Sequence, residues 1–194
     1  MGVQMVLSHR FNEALSYAES LHREQKRKGT DIPYISHLLI VSSLVLENGG
    51  SEDQAIAALL HDAVEDQGGE ARLAEIRQKY GEAVAQIVAD CTDAWVEPKP
   101  EWKVRKVNYI NSLQKKDTSS LLVSLADKTH NAEAILQDYK EIGDALWSRF
   151  NAGKEGTLWY YGQLSEQFNA LLPGRLAKRL EAAVGIFSLN QLIG

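Results

Sequence analysis

The sequence predicts an all-α fold, a compact bundle of about nine or ten helices. Three observations predict it. Apolar residues recur at three- and four-residue spacing along most of the chain, which is the period of an amphipathic helix. Capping residues, glycines and prolines interrupt that pattern at helix-length intervals. No stretch shows the alternation of a half-buried strand, and no internal repeat appears.

The elements follow in order. Phe11, Leu15, Ala18 and Leu21 mark a first helix that stops near Lys26-Arg27-Lys28 and Gly29. Pro33 opens a second, carrying Ile35, Leu38, Leu39, Ser42 and Val45, which ends at Asn48-Gly49-Gly50. Ser51 with Gln54 forms a capping-box pair for a third helix, read as continuous through Leu59-Leu60-His61-Asp62 to Gly68-Gly69. Two short amphipathic helices follow, with Leu73 and Ile76, then Val84, Ile87 and Val88, separated at Gly81. Glu97-Pro98-Lys99-Pro100 is the clearest loop. Candidate site residues lie on both sides of it, so residues 1–194 are expected to form one domain. Beyond a Lys- and Arg-rich helix, Asp117 or Thr118 caps a long helix through Leu121, Leu125, Asn131 and Leu136. Gly153 and Gly156 flank the start of the next, with Trp159, Leu164 and Phe168, and Pro173-Gly174 precedes the last.

Bulk composition narrows the function. The chain of 194 residues is 44% hydrophobic and 24% charged, ordinary for a globular domain with a real core. A net charge of −5 argues against broad nucleic-acid binding, which needs a basic surface. It leaves room for a small anionic substrate, because a metal or local basic patch reverses the field inside a cleft. Cys91 is the single cysteine, so no internal disulfide forms; among Val84, Ile87 and Val88 it reads as core packing. Neither a secretory signal nor a membrane span is expected, and the predicted setting is the cytoplasm.

The candidate chemistry centres on the third helix. At 100° per residue with His61 at 0°, Asp62 falls at about 100°, Glu65 at about 40° and Asp66 at about 140°. Leu59, Leu60, Ile56 and Ala63 occupy the opposite arc, and no basic residue lies between Ser51 and Glu70. Clustered carboxylates repel one another unless a cation lies among them. His37 falls in an otherwise apolar stretch, and Asp127 interrupts Leu121-Leu122-Val123-Ser124-Leu125-Ala126, where an unpaired charge is expensive. Each has a bland alternative: a satisfied core histidine for His37, an ion pair with Lys128 for Asp127. Together, His37, His61, Asp62 and Asp127 offer a mixed nitrogen and oxygen set that suits manganese, iron or zinc better than magnesium or calcium.

That order, H…HD…D, resembles the HD superfamily of metal-dependent phosphohydrolases. The strings Pro33-Tyr34-Ile35-Ser36-His37, Leu60-His61-Asp62-Ala63-Val64-Glu65-Asp66 and Leu125-Ala126-Asp127-Lys128-Thr129-His130-Asn131 are more specifically similar to the hydrolase domain of Rel/Spo-type enzymes and the small alarmone hydrolases. The resemblance runs from about Phe11 to Leu136; nothing resembles a synthetase. It implies one divalent ion, commonly manganese, on His37, His61, Asp62 and Asp127, with Glu65 and Asp66 positioning and deprotonating the attacking water. It also implies that Asn131 and the Arg27-Lys28 pair contact a nucleotide; on composition alone the alternative for Lys26-Arg27-Lys28 is a solvated helix end. His130 reads as structural. Glu133 stands where the Rel/Spo pattern has an arginine, and an acid facing the cleft there would repel phosphate.

The expected activity is hydrolysis of the 3′-pyrophosphate of a guanosine or adenosine alarmone of the (p)ppGpp type, releasing pyrophosphate. The alternatives are another HD nucleotide phosphohydrolase, such as a 3′-phosphatase, and a non-catalytic nucleotide-sensing module. The partner expected is a small nucleotide, with no nucleic acid and no membrane.

Overall fold

The computed structural model describes residues 6–93, 98 and 100–191, with side chains to residue 187. Among them are ten α-helices: α1 (His9–Leu21), α2 (Ile35–Glu47), α3 (Glu52–Leu60), α4 (Ala63–Asp66), α5 (Gly69–Tyr80), α6 (Glu82–Cys91), α7 (Trp102–Ser112), α8 (Thr118–Ile142), α9 (Gly153–Leu171) and α10 (Arg175–Gln191). Short 3-10 segments, Leu113–Lys115 and Gly143–Arg149, follow α7 and α8. No strand occurs among the described residues beyond one isolated antiparallel bridge between Lys26 and Pro33. The loop read at Glu97-Pro98-Lys99-Pro100 lies largely outside the described residues. No described helix is long and apolar enough to cross a membrane.

The long helix α8 is the axis of the bundle, packed on α2, α3, α6 and α10. Leu121, Val123, Ser124, Leu125, Ala126 and Asp127 are all buried, so this part is enclosed on nearly every side, as its unbroken apolar run requires. Asp117 caps it, accepting from the Ser120 N–H at 2.8 Å. Asp117→Ala is expected to remove about 1 kcal/mol of stability, read as a lower denaturant midpoint at unchanged slope. Ser51 and Gln54 make the capping box of α3, each side chain bonding the other's backbone N–H.

Two local readings need correction. The third helix is not continuous: α3 ends at Leu60 and α4 begins at Ala63, with His61 and Asp62 in the joint. The cause is chemical. His61 Nδ1 is 2.7 Å from Ala58 O, the carbonyl a continuous helix would offer to the Asp62 N–H. Both joint residues keep right-handed dihedrals, so the chain turns without reversing.

Lys26-Arg27-Lys28 is not a helix end. The first helix stops at Leu21, and the basic run lies in a loop closed by Arg27 N–H to Ile32 O and Tyr34 N–H to Gln25 O. Gly29 has φ +73°, and a Cβ there would meet the Arg149 side chain at 2.6 Å. Only glycine suits that backbone, and the close approach ties the basic loop to the segment before α9.

Candidate metal centre and nucleotide cleft

The centre lies where α2, the α3–α4 joint and α8 meet. Nε2 of His37 and Nε2 of His61 face each other at 3.3 Å. Asp127 Oδ1 is 3.3 Å from the first and 3.5 Å from the second. Asp62 Oδ2 is 3.5 Å and 3.0 Å from the same nitrogens. Ligand atoms of His37, His61 and Asp127 lie mutually within 4.8 Å, and all three residues are buried; Asp62 joins them through its approach to both imidazoles.

The outer contacts fix the rings. His61 Nδ1 donates to Ala58 O, which leaves Nε2 as the lone-pair nitrogen aimed inward. His37 Nδ1 is 2.7 Å from His130 Nδ1, so its Nε2 likewise faces the centre. Tyr34 donates to Asp62 Oδ2 at 2.6 Å. Asp127 accepts from Lys128 Nζ and from Asn131 Nδ2; the ion pair with Lys128 therefore exists alongside the centre.

Burial alone would neutralise Asp127, yet Lys128, His37 and His61 hold it well below the usual carboxylate range. Burial also works against the charge on Asp62, and His61 and His37 hold that carboxyl low as well. His61 is pushed well above its ordinary value in spite of burial, because Asp62 and Asp127 flank it. The buried Asp127 and half-buried Asp62 carboxylates, with two inward nitrogen lone pairs, form a cage that demands positive charge. The donor set fits a divalent cation of the nitrogen- and oxygen-binding kind.

Residues 14–158 match the HD domain family. The chain belongs to it. An HD domain carries a divalent-metal site, and the converging donors are the part of this chain that suits one. Over 139 residues, 70% of this chain and 73% of the relative, it is 37% identical to the guanosine-3′,5′-bis(diphosphate) 3′-pyrophosphohydrolase MESH1 of Xenopus tropicalis. The Drosophila melanogaster protein of the same name is 34% identical over 127 residues, 64% of this chain and 68% of its own length. Among solved structures, a metazoan SpoT orthologue described as hydrolysing ppGpp superposes with a TM-score of 0.74 at 25% identity, over 92% of this chain and 96% of that one.

Around the HD centre the other expected residues fall unevenly. Glu65 is half-buried and Asp66 exposed. Asp66 Oδ2 accepts from Gln25 Nε2 at 2.8 Å, while Glu65 lies within electrostatic reach of Lys106. Arg27 Nη2 donates to Asn131 Oδ1 at 2.7 Å, and its guanidinium lies 5.8 Å from the Tyr34 ring centroid. Arg27, Asn131 and Asp127 thus form one chain of bonds from the basic loop to the centre. Lys28 Nζ reaches toward Phe150, 5.9 Å from the ring centroid. Arg27, Lys28, Tyr34, Asn131, Ile135 and Tyr161 help line a cavity of about 540 Å³ beside the centre.

Glu133 does not face that cleft. Both its oxygens accept from Arg179 on α10, at 2.9 and 2.8 Å, and it lines neither cavity beside the centre. The expected repulsion of phosphate is therefore absent. Cys91 packs as expected, its Sγ 3.6 Å from Ser124 Oγ, and burial raises the thiol's pKa.

Sequence reasoning missed the supporting residues. Tyr34 and Gln25 carry no pattern of their own. His130, expected to be structural, is the residue that orients His37; its place in the string beside Asn131 was the available signal.

Proposed function

We propose that this HD domain, acting as one unit over residues 1–194, hydrolyses the 3′-pyrophosphate of a guanosine alarmone of the ppGpp type. Water's oxygen bonds to the phosphorus carried by ribose O3′, and the P–O3′ bond breaks. The nucleotide leaves with a protonated 3′-hydroxyl, and pyrophosphate leaves with the water's oxygen. The observation that carries the reading is the buried cage of His37, His61 and Asp127, with Asp62 against both imidazoles. A chain this similar to named 3′-pyrophosphohydrolases over two thirds of their length makes the same substrate the natural choice.

His37, His61, Asp62 and Asp127 hold one divalent ion; the donor set suits manganese, iron or zinc, and the family resemblance favours manganese. When bound, that ion acidifies water and polarises a phosphoryl oxygen. Glu65 takes the proton from the attacking water; Asp66, steadied by Gln25, orients it. Arg27 and Asn131 receive the nucleoside in the larger cavity, Arg27 turning from Asn131 to a phosphate or to the base it can stack upon. Lys28 supplies a second positive charge at the mouth. These residues answer how a chain of net charge −5 holds a polyanion: the attraction is local.

The test is to offer the manganese-loaded protein a set of 3′-phosphorylated guanosine and adenosine nucleotides, following phosphate and pyrophosphate release separately. Pyrophosphate from the guanosine 3′-diphosphate is the expected product; orthophosphate alone would make the protein a 3′-phosphatase. Arg27→Ala is expected to raise KM about tenfold, the loss of one charge-assisted contact, with metal content unchanged. Unaltered kinetics in both Arg27→Ala and Lys28→Ala would remove the basic loop from substrate binding.

A further inference from the structure

A second cavity, of about 290 Å³, opens on the other side of Asn131 from the nucleoside-sized one. Lys28, Asn131, Phe150 and Tyr161 line both cavities, so the two adjoin. The smaller one is strongly basic: Lys28, Arg105, Lys106 and Lys128 line it, with no carboxylate among the described residues that do. Behind it, Asp93 pairs with both Arg105 and Lys106, and Asp127 pairs with Lys128. Three cations thus share Asp93 and Asp127, with Lys28 as a fourth on the same wall, and Asp127 also faces the metal cage.

The crowding is visible in Lys106, whose pKa is lowered by burial and by Lys128 beside it. Tyr160, 5% exposed, lines the same cavity, and its hydroxyl has no hydrogen-bond partner. A buried donor without an acceptor and an excess of positive charge are both relieved by one kind of occupant, a compact anion rich in acceptor oxygens.

We infer that this cavity receives the terminal phosphoryl group of the 3′-pyrophosphate, held by Lys106, Arg105 and the Tyr160 hydroxyl, and so selects a 3′-diphosphate over a 3′-monophosphate. The inference rests on the proposed 3′-pyrophosphohydrolase reading. Position favours the 3′ end over the 5′ tail. Lys128 and Asn131, on the cavity wall, bond directly to Asp127, and Lys106 lies within electrostatic reach of Glu65. The space therefore begins where the reacting phosphorus must lie, while the base and ribose have the larger cavity. At about 290 Å³ against about 540 Å³, the smaller, basic cavity suits the phosphoryl group and the larger one the nucleoside.

The experiment uses two variants of the manganese-loaded chain. Lys106→Gln keeps Asp93 paired with Arg105, and Tyr160→Phe removes only the hydroxyl. Inorganic pyrophosphate and orthophosphate are the binding probes, measured by calorimetry. The native chain should bind pyrophosphate at least about tenfold more tightly than orthophosphate, and Lys106→Gln should erase most of that ratio, as expected for one charge-assisted contact. In kinetics, its preference for a 3′-diphosphate over a 3′-monophosphate should fall about tenfold in kcat/KM, with the 5′-diphosphate to 5′-monophosphate ratio unchanged. Tyr160→Phe should move the same ratio in the same direction, by less. A fall in the 5′ ratio instead, or no change in either ratio with both variants folded, would overturn the assignment. If no 3′-diphosphate is turned over, the activity itself fails, and pyrophosphate binding still decides the fate of the cavity.

Discussion

Chelation of the manganese-loaded protein is expected to abolish turnover, and added manganese to restore it. Two inward imidazole nitrogens 3.3 Å apart, flanked by carboxylates that their charged partners keep ionised against burial, have little catalytic use without a cation between them. The same cage links metal to stability. An ion that binds only the folded chain adds about 2.7 kcal/mol at a hundredfold excess over its Kd, so melting temperature should rise on loading. His61→Ala should lose both the ion and that rise. Asp127→Ala should lose more, because it also leaves Lys128 enclosed without its partner, a defect that destabilises by about 3–5 kcal/mol where a buried pair is broken. Full activity in protein with no detectable metal would contradict the assignment.

Glu65→Gln should reduce turnover by about 10² or more, in line with the loss of a general base, with metal content intact. The amide keeps the carboxylate's shape and removes its basicity. Glu65 lies on the single turn of α4, beyond the joint that places His61 and Asp62, and it is half-buried. Those features suit a group that works beside the ion and not on it. Elemental analysis of the variant decides: loss of the ion together with turnover would make Glu65 a ligand.

The all-helical class and the order of elements were legible because periodicity and caps are local signals. Ser51 and Gln54, Asp117, Asn48-Gly49 and Gly81 each mark a helix boundary through contacts within a few residues. The break after Leu60 was not legible, since nothing in Leu59-Leu60-His61-Asp62 announces that an imidazole will take Ala58's carbonyl. The centre was visible for a different reason: His37 and Asp127 stand out as polar residues in apolar helices, and burial makes that anomaly informative. Long-range partners left no such trace. Arg179 meets Glu133 from a helix far along the chain, which turned an expected repulsion into an ion pair. Asp93 gathers Arg105 and Lys106 across the loop; their charges were readable and their shared destination was not.

The most direct test of the proposed chemistry is a single hydrolysis in water enriched in oxygen-18. Manganese-loaded protein is given guanosine 3′,5′-bis(diphosphate), and the products are separated and weighed by mass spectrometry. Attack at the phosphorus bonded to O3′ predicts one labelled oxygen in pyrophosphate and none in the guanosine 5′-diphosphate. Label in orthophosphate, with a guanosine product still carrying one 3′-phosphate, would contradict it.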